Sequence, residues 1–261
     1  MNFPVRTCAI VLVLLSAAFG ETDSRPAPSL SVEAVVQKLM AANASRAAAL
    51  HGYRGRRIYH LDYRGLFGSH SAEIQVDVTY TAPDKKDFRI VSQSGARLLV
   101  NRVLLKLLSS EQEAQLAQNR RELEITPANY DFSLDELQHT PTGDFYVLNV
   151  QPKGKSRYLY RGKIWVDAHD FAVARMEGEP QKNPSIWVTR TEIEYRWAKQ
   201  DGFWLPIRNE SVTQVRMGGK AVLTIDYSNY QITGANRVAT GQHAGQSETL
   251  PDPSAVTADP H

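Results

Sequence analysis

The sequence predicts a mainly β fold of the α+β class, in which one long antiparallel sheet is accompanied by two helical segments. Nine segments alternate apolar and polar residues with a period of two, the spacing of a strand with one buried face. Turn-forming pairs such as Asp201-Gly202 and Gly218-Gly219 stand between these segments. The strand–helix–strand rhythm of a doubly wound nucleotide-binding fold does not occur, so we expect no parallel sheet.

The first 20 residues have the features of a secretory signal peptide. Arg6 supplies a positive charge, the residues from Cys8 to Ala18 are all apolar or small, and Gly20 follows as a small residue at the expected cleavage site. The apolar run is too short to span a bilayer. Loss of Cys8 with the peptide leaves a chain without cysteine, which excludes disulfides and thiolate chemistry. We therefore expect export to a bacterial periplasm.

A helix is predicted directly after this segment. Ser31 is a typical N-cap, and apolar residues then recur at three- and four-residue spacing from Val32 to Met40. The pattern predicts a helix that ends near Ala49 and buries one face, through Val35, Leu39 and their neighbours, against the sheet.

Most of the remaining chain is predicted to be strand. The nine segments are Tyr53–Tyr63, Ala72–Thr81, Phe88–Gln93, Asp144–Gln151, Tyr158–Asp167, Phe171–Glu177, Val188–Lys199, Phe203–Val215 and Ala221–Ile232. In the seventh, Ile193, Tyr195 and Trp197 share one face while Glu192 and Glu194 share the other. One apolar and one polar face is typical of an antiparallel sheet.

A helical insertion interrupts the strands. The segment from Arg102 to about Arg121 is helical in character, and Leu104, Leu105, Leu107 and Leu108 cover more than one face of its first half. We expect its second apolar side to meet either the N-terminal helix or a bound acyl chain.

The following "ITPANYDFSLDEL" is predicted to be a loop with a helical turn. The folded domain covers residues 31–232, and 233–261 form a disordered tail, since their composition cannot build a core.

Charge gives no indication of a nucleic-acid partner. The formal net charge is +2 with a pI of about 8.6. The one basic cluster, Arg54, Arg56 and Arg57, is interpreted as a solvated strand face. We expect a monomer that binds no nucleic acid.

One cluster resembles a catalytic or metal site, because Asp167, His169 and Asp170 fall within four residues. Strand segments on both sides place them in a hairpin corner, where Asp is favoured because its carboxylate accepts backbone hydrogen bonds. We therefore predict no metal, no cofactor and nearly neutral replacements of His169 and Asp170.

Glu192 and Glu194 alternate with arginines, which favours ion pairing on a solvated face over acid–base catalysis. We expect a protein that is not an enzyme.

Three segments, "GKIWVDAHDFAVARMEG", "TEIEYRWAKQDGFWLPIRNES" and "KAVLTIDYSNYQI", resemble the C-terminal half of LolA-like outer-membrane lipoprotein-sorting proteins. "TAPDKKDFRIVSQSG" resembles the early proline-turn-strand segment of that family. The resemblance covers about Ser31 to Ile232 and is strongest to an uncharacterised bacterial branch. It implies an unclosed β-barrel, a helical lid and a hydrophobic cavity for acyl chains. The leucine-rich insertion departs from the family, which usually has a shorter and more polar segment there.

The function that follows is a periplasmic carrier for a lipid or an acylated lipoprotein, with a possible membrane-protein partner in the envelope. The alternative is a protein-interaction module of an envelope-stress pathway, like RseB-type regulators. We predict that the cavity is walled by Tyr80, Leu104, Leu108, Tyr195, Trp197 and Tyr227. The other interpretation of these residues is that they are ordinary core under the helices.

Overall fold

Ten antiparallel strands form one sheet in the computed structural model, which describes residues 30–66, 68–114, 124–156, 159–182, 188–216 and 218–235. The strands are β1 (Leu50–Gly65), β2 (Gly68–Thr81), β3 (Lys85–Gly95), β4 (Tyr130–Thr140), β5 (Gly143–Pro152), β6 (Tyr160–Asp167), β7 (Val173–Pro180), β8 (Val188–Gln200), β9 (Phe203–Val215) and β10 (Gly219–Ala235). The predicted signal peptide, residues 1–20, lies outside the described residues.

The sheet order is β3-β2-β1-β10-β9-β8-β7-β6-β5-β4, so all neighbours except β1 and β10 are consecutive in the chain. Within the described residues β3 and β4 are the two edges and do not pair, which leaves the barrel open. The predicted mainly β, unclosed antiparallel architecture is therefore confirmed.

The N-terminal helix, α1, runs from Val32 to Ala49 as predicted. The Ser31 hydroxyl accepts a hydrogen bond from the Ala34 amide at 3.3 Å and caps the first turn. Val35 and Leu39 are fully buried, whereas Met40, at the edge of the predicted apolar stripe, is 40% exposed.

Strand β4 was expected to be a loop, and this expectation is wrong. Tyr130, Phe132 and Leu134 pair with Pro152, Val150 and Leu148 of β5, so the start of the segment alternates as a strand should. A bulge between Leu134 and Glu136 then shifts the register by one residue. The bulge breaks the period of two, which is why the segment lacks a clean strand pattern.

The helical insertion occupies residues 97–114 of the described chain, where α2 (Arg97–Leu99), a π-helical segment (Val100–Leu104) and α3 (Leu105–Ala114) follow without a break. It begins five residues before the predicted start at Arg102, and the predicted part beyond residue 114 lies outside the described residues.

At the C-terminal end of the described chain, β10 continues to Ala235 because Gly234 pairs with Gly52. Residues 233–235 therefore belong to the sheet, and the rest of the predicted tail is not described.

Buried apolar side chains form three clusters on one face of the sheet, here called the inner face. The α1 cluster contains Val35, Val36, Leu39, Tyr130, Tyr146, Leu148, Val150, Leu159, Ile164, Val166, Met176 and Ile193. The insertion cluster contains Tyr59, Leu61, Ala72, Ile74, Val76, Val78, Val100, Leu104, Leu108 and Ile225. The end cluster contains Ala49, Tyr53, Phe203 and Leu205. Each helical segment thus covers its own part of the inner face.

Among the described residues, no helix combines the length and the apolar character that crossing a membrane requires.

Candidate functional site

The six predicted cavity residues all lie on the inner face, but they belong to three different clusters. Leu104 and Leu108 are buried members of the insertion cluster, and Tyr227 packs against it. Tyr195 and Trp197 pack against the α1 cluster. Tyr80 packs against the end cluster. The structure therefore distributes these residues along the inner face, with the four aromatic side chains only partly buried.

Two helical segments, α1 and the helical insertion, cover the inner face, and we call them the two covers. Between them lies a row of aromatic side chains, which we call the aromatic strip: Tyr160, Tyr195, Trp197 and Tyr227. Tyr195 stacks on Trp197 with 5.7 Å between ring centroids, and Tyr160 meets Tyr195 edge-on at 6.3 Å. Tyr227 of β10 is close enough to Tyr195 for their hydroxyls to interact electrostatically. The strip therefore joins the α1 side of the inner face to the insertion side.

Tyr195 combines a deep position with a partly accessible side chain. Burial, helped by nearby Tyr227, raises the pKa of Tyr195 to about 12, although hydrogen bonds with Tyr160 and Asn209 act in the opposite direction. Its hydroxyl is thus satisfied by protein groups, while the residue as a whole stays partly accessible. Such a ring offers an apolar surface with a fixed polar end.

A charge pair between buried Arg57 and partly buried Glu111 attaches the helical insertion to the sheet. Arg57 of β1 is 6% exposed and approaches Glu111 of α3 at 2.5 Å, and the Tyr59 hydroxyl donates to the same carboxylate at 2.9 Å. The Arg57 guanidinium lies over the rings of Tyr227 and Phe88, at 4.9 and 5.4 Å from their centroids. Burial alone would lower the pKa of Arg57, but Glu111 and the surrounding tyrosines raise it, so the side chain stays charged.

The interpretation of Arg57 as part of a solvated face is wrong, although it holds for Arg56, which pairs with Asp77 at 2.9 Å and is 37% exposed. The signal was present in the sequence. Arg57 is two residues from Tyr59 and four from Leu61, so the alternation of β1 puts it on the apolar face. The basic composition of the cluster alone does not show this alternation, so it does not distinguish Arg57 from Arg56.

The helical insertion meets the sheet on one side and solvent on the other. Leu104 is fully buried and Leu108 nearly so, whereas Leu98 is 71% exposed and Val103 is 40% exposed. The alternative that the insertion packs on α1 through Val35, Val36 and Leu39 is not supported, because these three belong to the other cluster.

The hairpin corner after β6 is confirmed as a turn. Asp167 closes it, since its Oδ1 accepts hydrogen bonds from the amides of His169 at 3.0 Å and Asp170 at 2.7 Å. Phe171 follows with a φ of +47°, an uncommon conformation for a bulky residue. The carbonyl oxygens of Asp170 and Phe171 each accept a hydrogen bond from Arg46 of α1 at 2.8 Å. The turn is thus the attachment point of the end of α1.

Asp170 is more embedded than a hairpin corner requires, with a side chain only 14% exposed. Its carboxylate contacts the Lys199 ammonium at 2.7 Å, the Trp204 indole N–H at 2.8 Å and His169 Nδ1 at 3.0 Å. Burial alone would raise the pKa of Asp170, but these hydrogen bonds lower it to about 2. These contacts argue against a neutral replacement of Asp170, while His169, with 79% of its side chain exposed, fits that expectation.

Ligand atoms of Asp167, His169 and Asp170 lie within 4.8 Å of one another, a separation compatible with a metal ion. The carboxylates, however, already serve the turn, Lys199 and Trp204. The predicted absence of a metal stays a prediction.

The opposite, outer face of the sheet carries the ion pairs expected for Glu192 and Glu194, within β8 for both residues and across to β7 for Glu194. Glu192 approaches Arg190 at 3.0 Å, and Glu194 approaches Arg196 at 2.6 Å and Arg175 at 3.0 Å. These carboxylates are paired on an exposed surface, which favours a structural role.

No family model matches this chain, and no curated protein matches it. Similar solved structures include a DUF1329 family protein from Desulfovibrio piger, at 16% identity and a TM-score of 0.39, covering 78% of this chain and 94% of that one. A putative outer membrane lipoprotein-sorting protein domain from Vibrio parahaemolyticus is 13% identical with a TM-score of 0.43, covering 81% and 95%. A LolA superfamily protein from Nitrosomonas europaea is 12% identical with a TM-score of 0.34, covering 80% and 96%.

The structural neighbours thus include proteins of the kind that the sequence resembles. At these identities and TM-scores they assign no ligand and no partner to this chain.

Proposed function

We propose that this chain is a periplasmic carrier, without enzymatic activity, that binds the acyl chains of a lipid or of a lipoprotein on the inner face of its open barrel. The observation that carries the proposal is the aromatic strip. Tyr160, Tyr195, Trp197 and Tyr227 lie between the two covers, and neither cover buries them completely. Large, partly covered aromatic rings that form a continuous row on an inner face are typical of a ligand surface.

An acyl chain suits this surface on physical grounds. Transfer of a methylene from water to an apolar site yields about 0.8 kcal/mol, so a long chain gains on the order of 10 kcal/mol before the costs of binding. Such a ligand needs apolar area and no catalytic group. The polar ends of Tyr160 and Tyr195 are already satisfied by hydrogen bonds within the protein, which leaves their rings for apolar contact.

The helical insertion acts as the lid in this proposal. It rests on the sheet through Leu104 and Leu108, and the Arg57–Glu111 pair fastens it beside Tyr227. Its π-helical segment, Val100–Leu104, is a local irregularity of the kind found where helices adjust for function. Separation of the charge pair would move the lid away from the strip and admit a chain.

The resemblance to LolA-like proteins and the predicted signal peptide support a periplasmic location. A carrier must also receive and release its cargo, so we include a membrane-protein partner in the envelope as part of the proposal.

The test uses a matched pair of tryptophans on opposite faces of the sheet. Trp197 belongs to the strip, whereas Trp165 of β6 lies on the outer face, where it stacks with Arg175 and donates to Gln138 at 2.8 Å. Binding of cis-parinaric acid, followed by its fluorescence, is expected to weaken at least tenfold in Trp197→Ala and to stay unchanged in Trp165→Ala. Far-UV circular dichroism checks that both variants fold.

Equal binding by the two variants would move the site away from the strip. Native mass spectrometry of protein released gently from the periplasm adds a second readout, in which a lipid adduct supports the carrier. Absence of both probe binding and adduct would contradict the proposal and favour the protein-interaction module.

A further inference from the structure

A second feature of the inner face is a pocket at the end of the barrel where α1 finishes. It has a volume of about 380 Å³ and lies between the last turn of α1 and strands β1, β2, β3 and β9. We call it the end pocket. Its floor is apolar, formed largely by Tyr53, Tyr80, Phe203 and Leu205.

The charged residues that line the end pocket are both cations. Arg46 enters from α1 and Lys86 from β3, and no carboxylate of the described residues contributes to the lining. Arg46 is occupied, because its guanidinium donates to the carbonyl oxygens of Asp170 and Phe171 and to Asn43 Oδ1, all at 2.8 Å. The Lys86 ammonium has no hydrogen bond or ion pair within the described part of the chain. Among the described residues, Lys86 is thus the cation of this pocket that has no protein counter-charge.

Strand register explains why Lys86 points inward. It pairs directly with Tyr80 of β2 and stands two residues from Phe88, whose ring contacts Arg57 inside the barrel. Its neighbour Lys85 belongs to the other face, is 70% exposed and pairs with Asp87 at 3.4 Å. The two consecutive lysines therefore have opposite environments.

The surroundings of Lys86 disfavour its charge. Burial, together with the positive charge of Arg57, lowers the pKa of Lys86 to about 8, and Glu111 offsets only part of this effect. An anion in the end pocket would relieve this cost, since it would supply the counter-charge that the protein does not. Glu111 cannot fill that role fully, because it already binds Arg57 and Tyr59.

We infer that the end pocket binds the anionic headgroup, a carboxylate or a phosphate, of the ligand whose acyl chain lies on the inner face. Lys86 is the residue that contacts the anion, and Tyr53, Tyr80 and Leu205 contact the first carbons of the chain. The inference rests on the proposed carrier function and specifies its ligand as an acidic lipid.

The test compares acidic and uncharged ligands of equal chain length. Oleic acid, its methyl ester and oleoyl lysophosphatidic acid compete against the uncharged fluorescent probe 1-aminoanthracene on the full chain. We expect the wild type to bind at least one of the acids tenfold more tightly than the ester. Replacement Lys86→Met should remove that preference while leaving the affinity for the ester unchanged, and Lys85→Met should alter neither. The acid that binds more tightly distinguishes a carboxylate from a phosphate headgroup.

Two results would overturn the inference. If the wild type binds the acids and the ester with equal affinity, the inference is overturned while the carrier function stands. This comparison uses only the wild-type chain and does not depend on the folding of a variant. A preference that survives in folded Lys86→Met and Lys86→Gln would place the anion elsewhere. Failure of every ligand to bind the wild type would instead contradict the carrier function, and the inference with it.

Discussion

The two covers of the inner face are built from different chemistry. α1 packs through aliphatic side chains such as Val35 and Leu39, and its last turn is held by hydrogen bonds from Arg46 to backbone carbonyls. The insertion packs through Leu104 and Leu108 but also depends on the partly buried Arg57–Glu111 pair, and it exposes Leu98 to solvent. A cover with mainly aliphatic contacts separates only at high cost, whereas a buried ion pair can be replaced by hydration of both charges. We therefore expect α1 to stay docked as part of the core and the insertion to be the cover that moves.

The largest expected effect comes from placing a charge under each cover. Leu39→Asp should destabilise the whole domain by about 4 kcal/mol or more, because an unpaired carboxylate cannot be buried in the α1 cluster. Leu104→Asp should release the insertion and abolish fatty-acid probe binding while the sheet stays folded. Far-UV circular dichroism and denaturant unfolding measure the difference. Global unfolding of both variants would show that the insertion is as much a part of the core as α1.

A smaller effect is expected from the charge pair itself. Glu111→Ala leaves Arg57 buried without its partner, which should cost about 3 kcal/mol at the insertion. Amide hydrogen exchange in residues 97–114 should become roughly 100-fold faster, while β4–β8 keep their protection.

The pair has its own controls. The double variant Arg57→Met, Glu111→Ala should recover most of the loss, since no buried charge then remains. Arg56→Met removes an outer-face partner of Asp77 and should change stability by no more than about 0.5 kcal/mol. Uniformly faster exchange over all strands in Glu111→Ala would mean that the insertion does not open by itself.

The smallest effect concerns the anchor of α1 and depends on pH. The pKa of Asp170 is lowered in the folded state to about 2, so the ionised carboxylate contributes stability above the unfolded pKa near 4. That contribution, up to about 2 kcal/mol, should be lost as pH falls from about 4 to 2. Asp170→Asn should flatten the acid limb of the stability curve, measured by thermal unfolding at each pH.

His169→Ala is the matched control, because its exposed ring should contribute less than about 0.5 kcal/mol. Elemental analysis of the purified protein accompanies it. A stoichiometric zinc or manganese ion that is lost in His169→Ala would replace the turn interpretation by a metal site.

Local patterns predicted the elements whose alternation is undisturbed. Ser31 and the stripe of Val35 and Leu39 place α1, and the alternation around Tyr195 places β8. The sequence pattern does not predict β4, because the bulge after Leu134 interrupts the alternation of apolar and polar residues. Such a bulge is set by pairing with β5, which a period of two in one segment does not reveal.

The candidate site was harder to predict than the fold. The alternation of side chains along each strand correctly puts four aromatic residues on the inner face: Tyr80, Tyr195, Trp197 and Tyr227. Their distribution over three clusters depends instead on the order of the strands in the sheet, which separates them. The same alternation would have placed Arg57 inside. The position of Glu111 opposite it depends on the docking of the insertion, a long-range contact that sequence spacing does not encode.

The pairing of β1 with β10 has a consequence for how the domain folds. It joins residues 156 to 185 positions apart, and closing such a loop costs roughly 3 kcal/mol more chain entropy than closing a short hairpin. Strands β1 to β3 and strands β4 to β9 each connect through local hairpins and can form early as two separate groups, whereas the first group joins the rest of the sheet only when β10 arrives. The insertion cluster, which includes Ile225 of β10, is therefore completed last, and a nascent chain cannot assemble it until synthesis has passed this strand.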